Sequence, residues 1–197
     1  MSEKRKYELR KRADQVDETR RRITEATVEL HRTVGPVATQ ITEIARRAGV
    51  QRVTVYNHFP DDASLYAACS SHWRALHPSP DPDAWLAIAD PGKRLRVGLC
   101  ELYGWYRETE PMTANILRDA GTVPAVGALV EQGLGRYLML VRQTLSETLR
   151  VPAGCRTRVD AALCAVTDFH FWRSLASLGD TDAAALGAGL VELAATG

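Results

Sequence analysis

Arg52, Thr54 and Asn57, flanked by Tyr56 and His58, concentrate hydrogen-bonding side chains in the short stretch 52–58. Guanidinium, hydroxyl, amide and imidazole groups of this kind pair with base edges and backbone phosphates of nucleic acid. They face outward only if the residues between them turn inward. Val50, Val55 and Phe59 provide that inward stripe at helical spacing. Upstream, Ile41, Ile44, Ala45 and Ala48 form the apolar face of another short helix, and Gly49 follows where a helix end favours the left-handed conformation. Two short helices and a tight turn make a helix-turn-helix, the second helix being the one that enters a major groove of duplex DNA.

The charge distribution agrees with such a surface. The net charge is +1, but residues 1–60 hold 13 Lys+Arg against 8 Asp+Glu, a net of +5. The remainder holds 12 against 16, a net of −4. Excess positive charge on the reader is the electrostatic footprint of a nucleic-acid surface. The segment 1–13, with Lys4, Arg5, Lys6, Arg10, Lys11 and Arg12, reads either as a basic arm on phosphates or the minor groove, or as extra turns of the first helix.

The elements around the motif read as helices throughout. Val16, Ile23, Ala26, Leu30 and Val34 predict a helix over Val16–Thr33, ended by Gly35-Pro36. Further helices are expected over Ser64–Leu76 and Ala84–Ala89. Another starts at Asp90-Pro91 and is broken at Glu110-Pro111. Others follow over Met112–Ala120, Ala125–Arg150, Arg156–Leu178 and Thr181–Ala195. No segment alternates with period two, so the fold class is all-α, with about nine helices. No apolar run approaches a membrane span and no signal peptide is recognisable, so the cytoplasm is the expected compartment. Cys69, Cys100, Cys155 and Cys164 lack metal-ligand spacing and read as buried reduced thiols. The five histidines form no triad or metal spacing, so no catalytic residue, metal or cofactor is assigned, and a helical enzyme is the remote alternative.

Thr39, Ile44, Ala45, Ala48, Gly49, Val50, Thr54, Tyr56, His58 and Phe59 stand where the TetR family of transcriptional regulators carries its signature. The chain resembles that family over about its first third. The resemblance implies a helix-turn-helix domain over 1–63 and a helical ligand-binding and dimerisation domain over 64–197. It implies that Arg52, Val53, Thr54 and Asn57 meet bases. Thr39, Gln40, Thr42, Tyr56 and His58 would meet phosphates. The family usually has a lysine where this chain has Asp62, beside Asp61.

It also implies a homodimer on a palindromic operator, through the helices at 156–178 and 181–195, and repression relieved by a small molecule. The second of these helices is rich in alanine and glycine, which permits close helix approach. Tyr103, Tyr106, Met112, Asn115, Tyr137, Leu140, Phe171 and Trp172 are the pocket candidates, with Trp105 and His170 beside them. Asp168 joins them because a carboxylate between Val166 and Phe169 needs a partner. A DNA binder without an effector, its second domain serving only dimerisation, is the alternative.

Overall fold

The computed structural model of the chain describes residues 2–147 and 149–196, with residues 2–5 and 9 described by their backbone alone. The described residues include ten α-helices: α1 (Ser2–Thr33), α2 (Ile41–Ala48), α3 (Arg52–His58), α4 (Asp62–Leu76), α5 (Pro91–Ala120), α6 (Pro124–Val130), α7 (Arg136–Ser146), α8 (Arg156–Val166), α9 (Phe169–Leu175) and α10 (Asp180–Ala195). The described residues contain no strand, and none of their helices is long and apolar enough to cross a membrane. The chain divides into two compact units. The first takes Met1–Leu76 and Pro111–Val130; the second takes His77–Glu110 and Glu131–Gly197.

The first unit is built on the apolar stripes read above. Ile23, Leu30, Ile44, Val55, Phe59 and Leu65 are buried in one cluster, which Met112 joins. The end of α5 is tied to the connection between α1 and α2 by polar contacts. Asn115 Nδ2 donates to the carbonyls of His31 (3.0 Å) and Arg32 (2.9 Å). Arg118 Nη2 donates to Val34 O at 3.0 Å, and the Val37 N–H donates to Asp119 Oδ2 at 3.0 Å. His31 itself is buried against Tyr66, with ring centroids 5.3 Å apart. Burial pushes its imidazole down to about 4, against the opposing pull of Asp119.

The second unit places α8 against α10 and buries Leu95, Leu99, Leu102, Val159, Leu163 and Val191. Small residues on α10 are used here, inside the chain. A Cβ on Gly187 would stand 2.9 Å from Tyr103 Oη and 3.2 Å from Leu99 Cδ1. Ala185 and Gly189 lie on the opposite, exposed face of the same helix.

Four expected boundaries are corrected. The helix predicted to begin at Val16 runs from Ser2, so segment 1–13 continues α1 where it is described. Pro111 does not end a helix but lies inside α5. The stripe Leu102, Tyr106, Thr109, Met112, Thr113 continues past it buried, while the ring of Pro111 faces solvent. Side-chain burial along that stripe outweighs the roughly 3 kcal/mol that an interior proline costs. The helix expected over 125–150 is two helices joined by a π-helical turn at Glu131–Gly135, where Gly133 and Gly135 weaken the regular ladder. The helix expected over 156–178 stops at Val166 and restarts at Phe169. Thr167 Oγ1 folds back onto Leu163 O at 2.7 Å, and Asp168 takes an extended backbone as the N-cap of α9.

The cysteines also differ from uniform burial. Cys69 and Cys155 are buried, Cys100 is half-buried and Cys164 is exposed, all as free thiols. Burial pushes the Cys69 thiol up to about 12.

Candidate nucleic-acid interface

The geometry of the reader follows from one turn. Gly49 takes φ 65°, ψ 39°, and its N–H closes on Arg46 O at 3.3 Å while the Val50 N–H closes on Ala45 O at 3.0 Å. A side chain in that left-handed conformation costs about 1–2 kcal/mol, so glycine suits the position. Gln51 then returns the chain to an extended backbone and α3 begins at Arg52.

On α3, Val55 is fully buried, and this single anchor sets the rotation of the helix. Arg52, Val53, Tyr56 and Asn57 are exposed, while Thr54 and His58 are half-buried. Arg52 Nη2 donates to Tyr56 Oη at 3.0 Å, and its guanidinium lies 5.4 Å from the centroid of the Tyr56 ring. One turn of helix separates these two residues, so an expected base contact and an expected phosphate contact are coupled. Val53 is 58% exposed, an apolar group available to a thymine methyl.

At the start of α2 the backbone does most of the work. Gln40 is the N-cap in an extended conformation without a side-chain cap; its carbonyl accepts from the Glu43 N–H at 3.0 Å, and its side chain leaves the N–H groups of Ile41 and Thr42 to another acceptor. Thr42 is exposed beside them. The Thr39 hydroxyl is half-buried and donates to Gly35 O at 2.8 Å. Its contribution to an anion therefore requires rotation of that hydroxyl. Further along α2, Glu43 is gripped by Arg46 at 2.7 Å and Arg47 at 2.9 Å. Hydrogen bonds from Arg46 and Arg47 hold its carboxyl down at about 2.

One contact was not apparent from sequence. Arg20, on α1, donates from Nη1 to His58 O at 2.6 Å, and its guanidinium lies 4.1 Å from the centroid of the Phe59 ring. The periodicity of α1 marked Arg20 only as a position on its polar side.

Residues 23–69 match the family profile described as bacterial regulatory proteins, tetR family. That stretch holds the whole of α2 and α3 with the burial pattern just described.

Over residues 23–69, the chain is similar to the DNA-reading domain of the TetR family.

Solved structures extend the likeness to the fold of the chain as a whole. A protein of Mesorhizobium loti described as a TetR-family transcriptional regulator is 19% identical, with TM-score 0.59, covering 91% of this chain and 96% of its own. A transcriptional regulator of Rhodococcus is 19% identical, with TM-score 0.58, over 89% and 97%. A TetR transcription regulator of Haloarcula marismortui is 18% identical, with TM-score 0.53, over 91% and 96%. No curated protein matches the chain by sequence. The matched helix-turn-helix segment thus sits in a chain whose overall fold resembles those of these three proteins.

The pocket candidates divide between the two units. Met112 and Asn115 belong to the first, where Met112 packs in the reader core and the Asn115 amide is spent on α1 carbonyls. Tyr103, Tyr106 and Trp172 are fully buried in the second, together with Phe169, which the sequence reading passed over. Tyr106, Phe169 and Trp172 stack with centroids 5.4–5.7 Å apart.

The polar ends of the two tyrosines are occupied. Tyr103 Oη donates to Val166 O at 2.7 Å and Tyr106 Oη to Thr167 O at 2.8 Å, capping the end of α8. Burial raises both phenols above their ordinary range. Trp172 Nε1 is buried without a hydrogen-bond partner among the described residues. Tyr137 Oη donates to Pro80 O at 3.0 Å; Leu140 is 52% exposed and Phe171 half-buried. Trp105 Nε1 donates to His77 O at 3.2 Å, and His170 is exposed. The partner sought for Asp168 is backbone. Its carboxylate accepts from the N–H groups of His170 (2.7 Å) and Phe171 (3.3 Å).

Proposed function

We propose that the protein is a homodimeric transcriptional repressor, acting in the cytoplasm, that reads a palindromic operator. The observation that carries this reading is α3, whose buried Val55 leaves Arg52, Val53 and Asn57 exposed where base edges would lie. One such helix covers only a few base pairs, and a two-fold pair reads two half-sites about a helical turn apart. The dimer surface is α8 with α10. Leu186, Leu190 and Leu193 are 48%, 41% and 69% exposed along α10, and Ala161, Cys164 and Ala165 are exposed on α8. An apolar stripe of this kind on two packed helices favours a self-complementary contact. In this reading residues 1–63 are the reader and 64–197 the dimerisation and effector domain.

Release of DNA follows from an amphipathic small molecule that prefers a second dimer shape. Its support is the Trp172 N–H, unpartnered among the described residues, within a buried aromatic cluster. The reading without an effector draws support from Tyr103 and Tyr106, whose hydroxyls are already spent within the fold.

Selection of bound duplexes from a random pool tests the whole reading. The expected result is a palindrome, with Arg52→Ala and Asn57→Ala relaxing preference at particular base pairs by about 1–3 kcal/mol each. Recovery of unrelated sequences with equal affinity would refute sequence reading. A small-molecule library screened for release of that duplex then decides between effector and scaffold.

A further inference from the structure

Five of the eleven arginines of the first unit whose side chains are described are spent on carboxylates. Arg21 pairs with Glu18 and Glu25, Arg32 with Glu29, Arg46 and Arg47 share Glu43, and Arg118 holds Asp119. Such pairs offer phosphate little net charge. Arg20 is not among them, and it is tied to the end of α3: among the described residues its side chain meets the carbonyl of His58 and the ring of Phe59. It is exposed, and one guanidinium nitrogen donating to His58 O leaves donors of the fork unspent.

The place of Arg20 gives this charge a use. His58 ends α3, and Asp61 and Asp62 follow within four residues. Two carboxylates beside the carboxyl end of a groove-reading helix repel the duplex backbone. Asp61 is committed to starting α4, where its Oδ1 accepts from the Ser64 N–H at 2.7 Å. A cation fixed at the same end offsets that repulsion. The α3 carbonyls favour a positive charge there through the helix dipole. Stacking on Phe59 holds the guanidinium before DNA arrives, so less side-chain entropy is lost on binding. A planar fork also matches two phosphate oxygens at once.

We propose that Arg20 is a backbone-phosphate anchor of the reader, held ready at the carboxyl end of α3 by His58 and Phe59. This rests on the duplex-reading function proposed above. A phosphate anchor contributes affinity on every sequence and none of the discrimination. It contributes to the salt dependence of binding by about 0.9 in log K against log salt per reader, so about twice that for a symmetric pair.

The test uses the full-length protein and the duplex recovered by selection, with a scrambled duplex beside it. Affinity is measured across a salt series for wild type, Arg20→Gln, Arg20→Lys, Asp62→Lys and the double variant R20Q/D62K. Arg20→Gln is expected to shallow the salt slope by about 0.9 per reader and to weaken both duplexes by the same factor. Arg20→Lys keeps the slope, and D62K placed on R20Q restores it. If R20Q does not fold, Arg20→Met, which keeps an apolar stem on Phe59, reads the same slope. Binding by R20Q or R20M at the wild-type slope makes Arg20 a structural pin and overturns the anchor alone. Absence of duplex binding by the wild type overturns the duplex-reading function, and the anchor with it.

Discussion

His31 makes the reader acid-sensitive, and the size of the effect follows from where it lies. The ring is 3% exposed on α1, packed on Tyr66, with Nε2 unpartnered among the described residues. Charging it there means desolvating an imidazolium, which is why its titration falls from 6.5 to about 4. In the unfolded chain the ring titrates near 6.5. Below that value the unfolded state binds a proton that the folded state refuses, so folding loses stability as pH falls. The loss begins near 6.5, grows at about 1.4 kcal/mol per pH unit, and levels off below about 4. Its full size is about 3 kcal/mol. Asp119 pulls the other way on His31 but belongs to the same acid limb. Burial raises its carboxyl, while Arg118, the Val37 N–H and His31 together hold it below its ordinary 3.8. Its own contribution is therefore lost at lower pH, after that of His31.

Urea unfolding at pH values from about 7.5 to 4.5, for wild type and His31→Gln, measures the slope. The variant should be less stable at neutral pH, because glutamine leaves the Tyr66 contact. It should also lose about 1.4 kcal/mol less per pH unit across the acid range. A folded-state imidazole resonance of His31 titrating near 6.5, or the same acid slope in both proteins, would refute the reasoning.

Asp168→Ala should cost about 1 kcal/mol in thermal or urea unfolding through loss of the α9 cap, while Asp168→Asn keeps most of it. Gly187→Val should disrupt the second unit by at least 1–3 kcal/mol, roughly an overpacking cost, because Tyr103 Oη and Leu99 already crowd the position; a variant with wild-type Tm would show that α10 can retreat freely. Leu190→Glu should convert a dimer to a monomer in sedimentation and reduce operator affinity with the reader still folded; an unchanged dimer would place the subunit contact elsewhere.

The reader was legible because its local rules agree. Ile44 and Ala45 set one face, Gly49 sets the turn, and Val55 and Phe59 set the other face, all within twenty residues or so of chain. The end of α5 was misread for the opposite reason. Pro111 is a strong local signal for a break, but the burial of Tyr106, Thr109 and Met112 on either side is a tertiary matter. The apolar periodicity read from sequence stops at Tyr106, because Thr109 and Thr113 are polar and only the fold shows them buried. The interruption at Thr167 depends on Tyr103 and Tyr106, some sixty residues away, taking up the carbonyls at the end of α8. No window around Asp168 contains that information. Likewise, the pairing of Arg20 with His58 joins positions 38 apart, and helical periodicity alone left Arg20 among its neighbours on the polar side of α1.

The described side chains of α1 from Lys6 to Glu18 are all exposed or nearly so, and buried contacts begin only at Ile23. At 1.5 Å per residue, that free length reaches roughly 20 Å from its base. A helix of such length, held mainly by its own backbone bonds, sits close to the helix–coil midpoint in water. Its turns are expected to unwind progressively on warming, before the packed unit melts cooperatively. Lys6, Arg10, Lys11 and Arg12 therefore ride on a rod whose stiffness depends on temperature. Any pull they exert on a polyanion is graded by heat, before the fold itself yields.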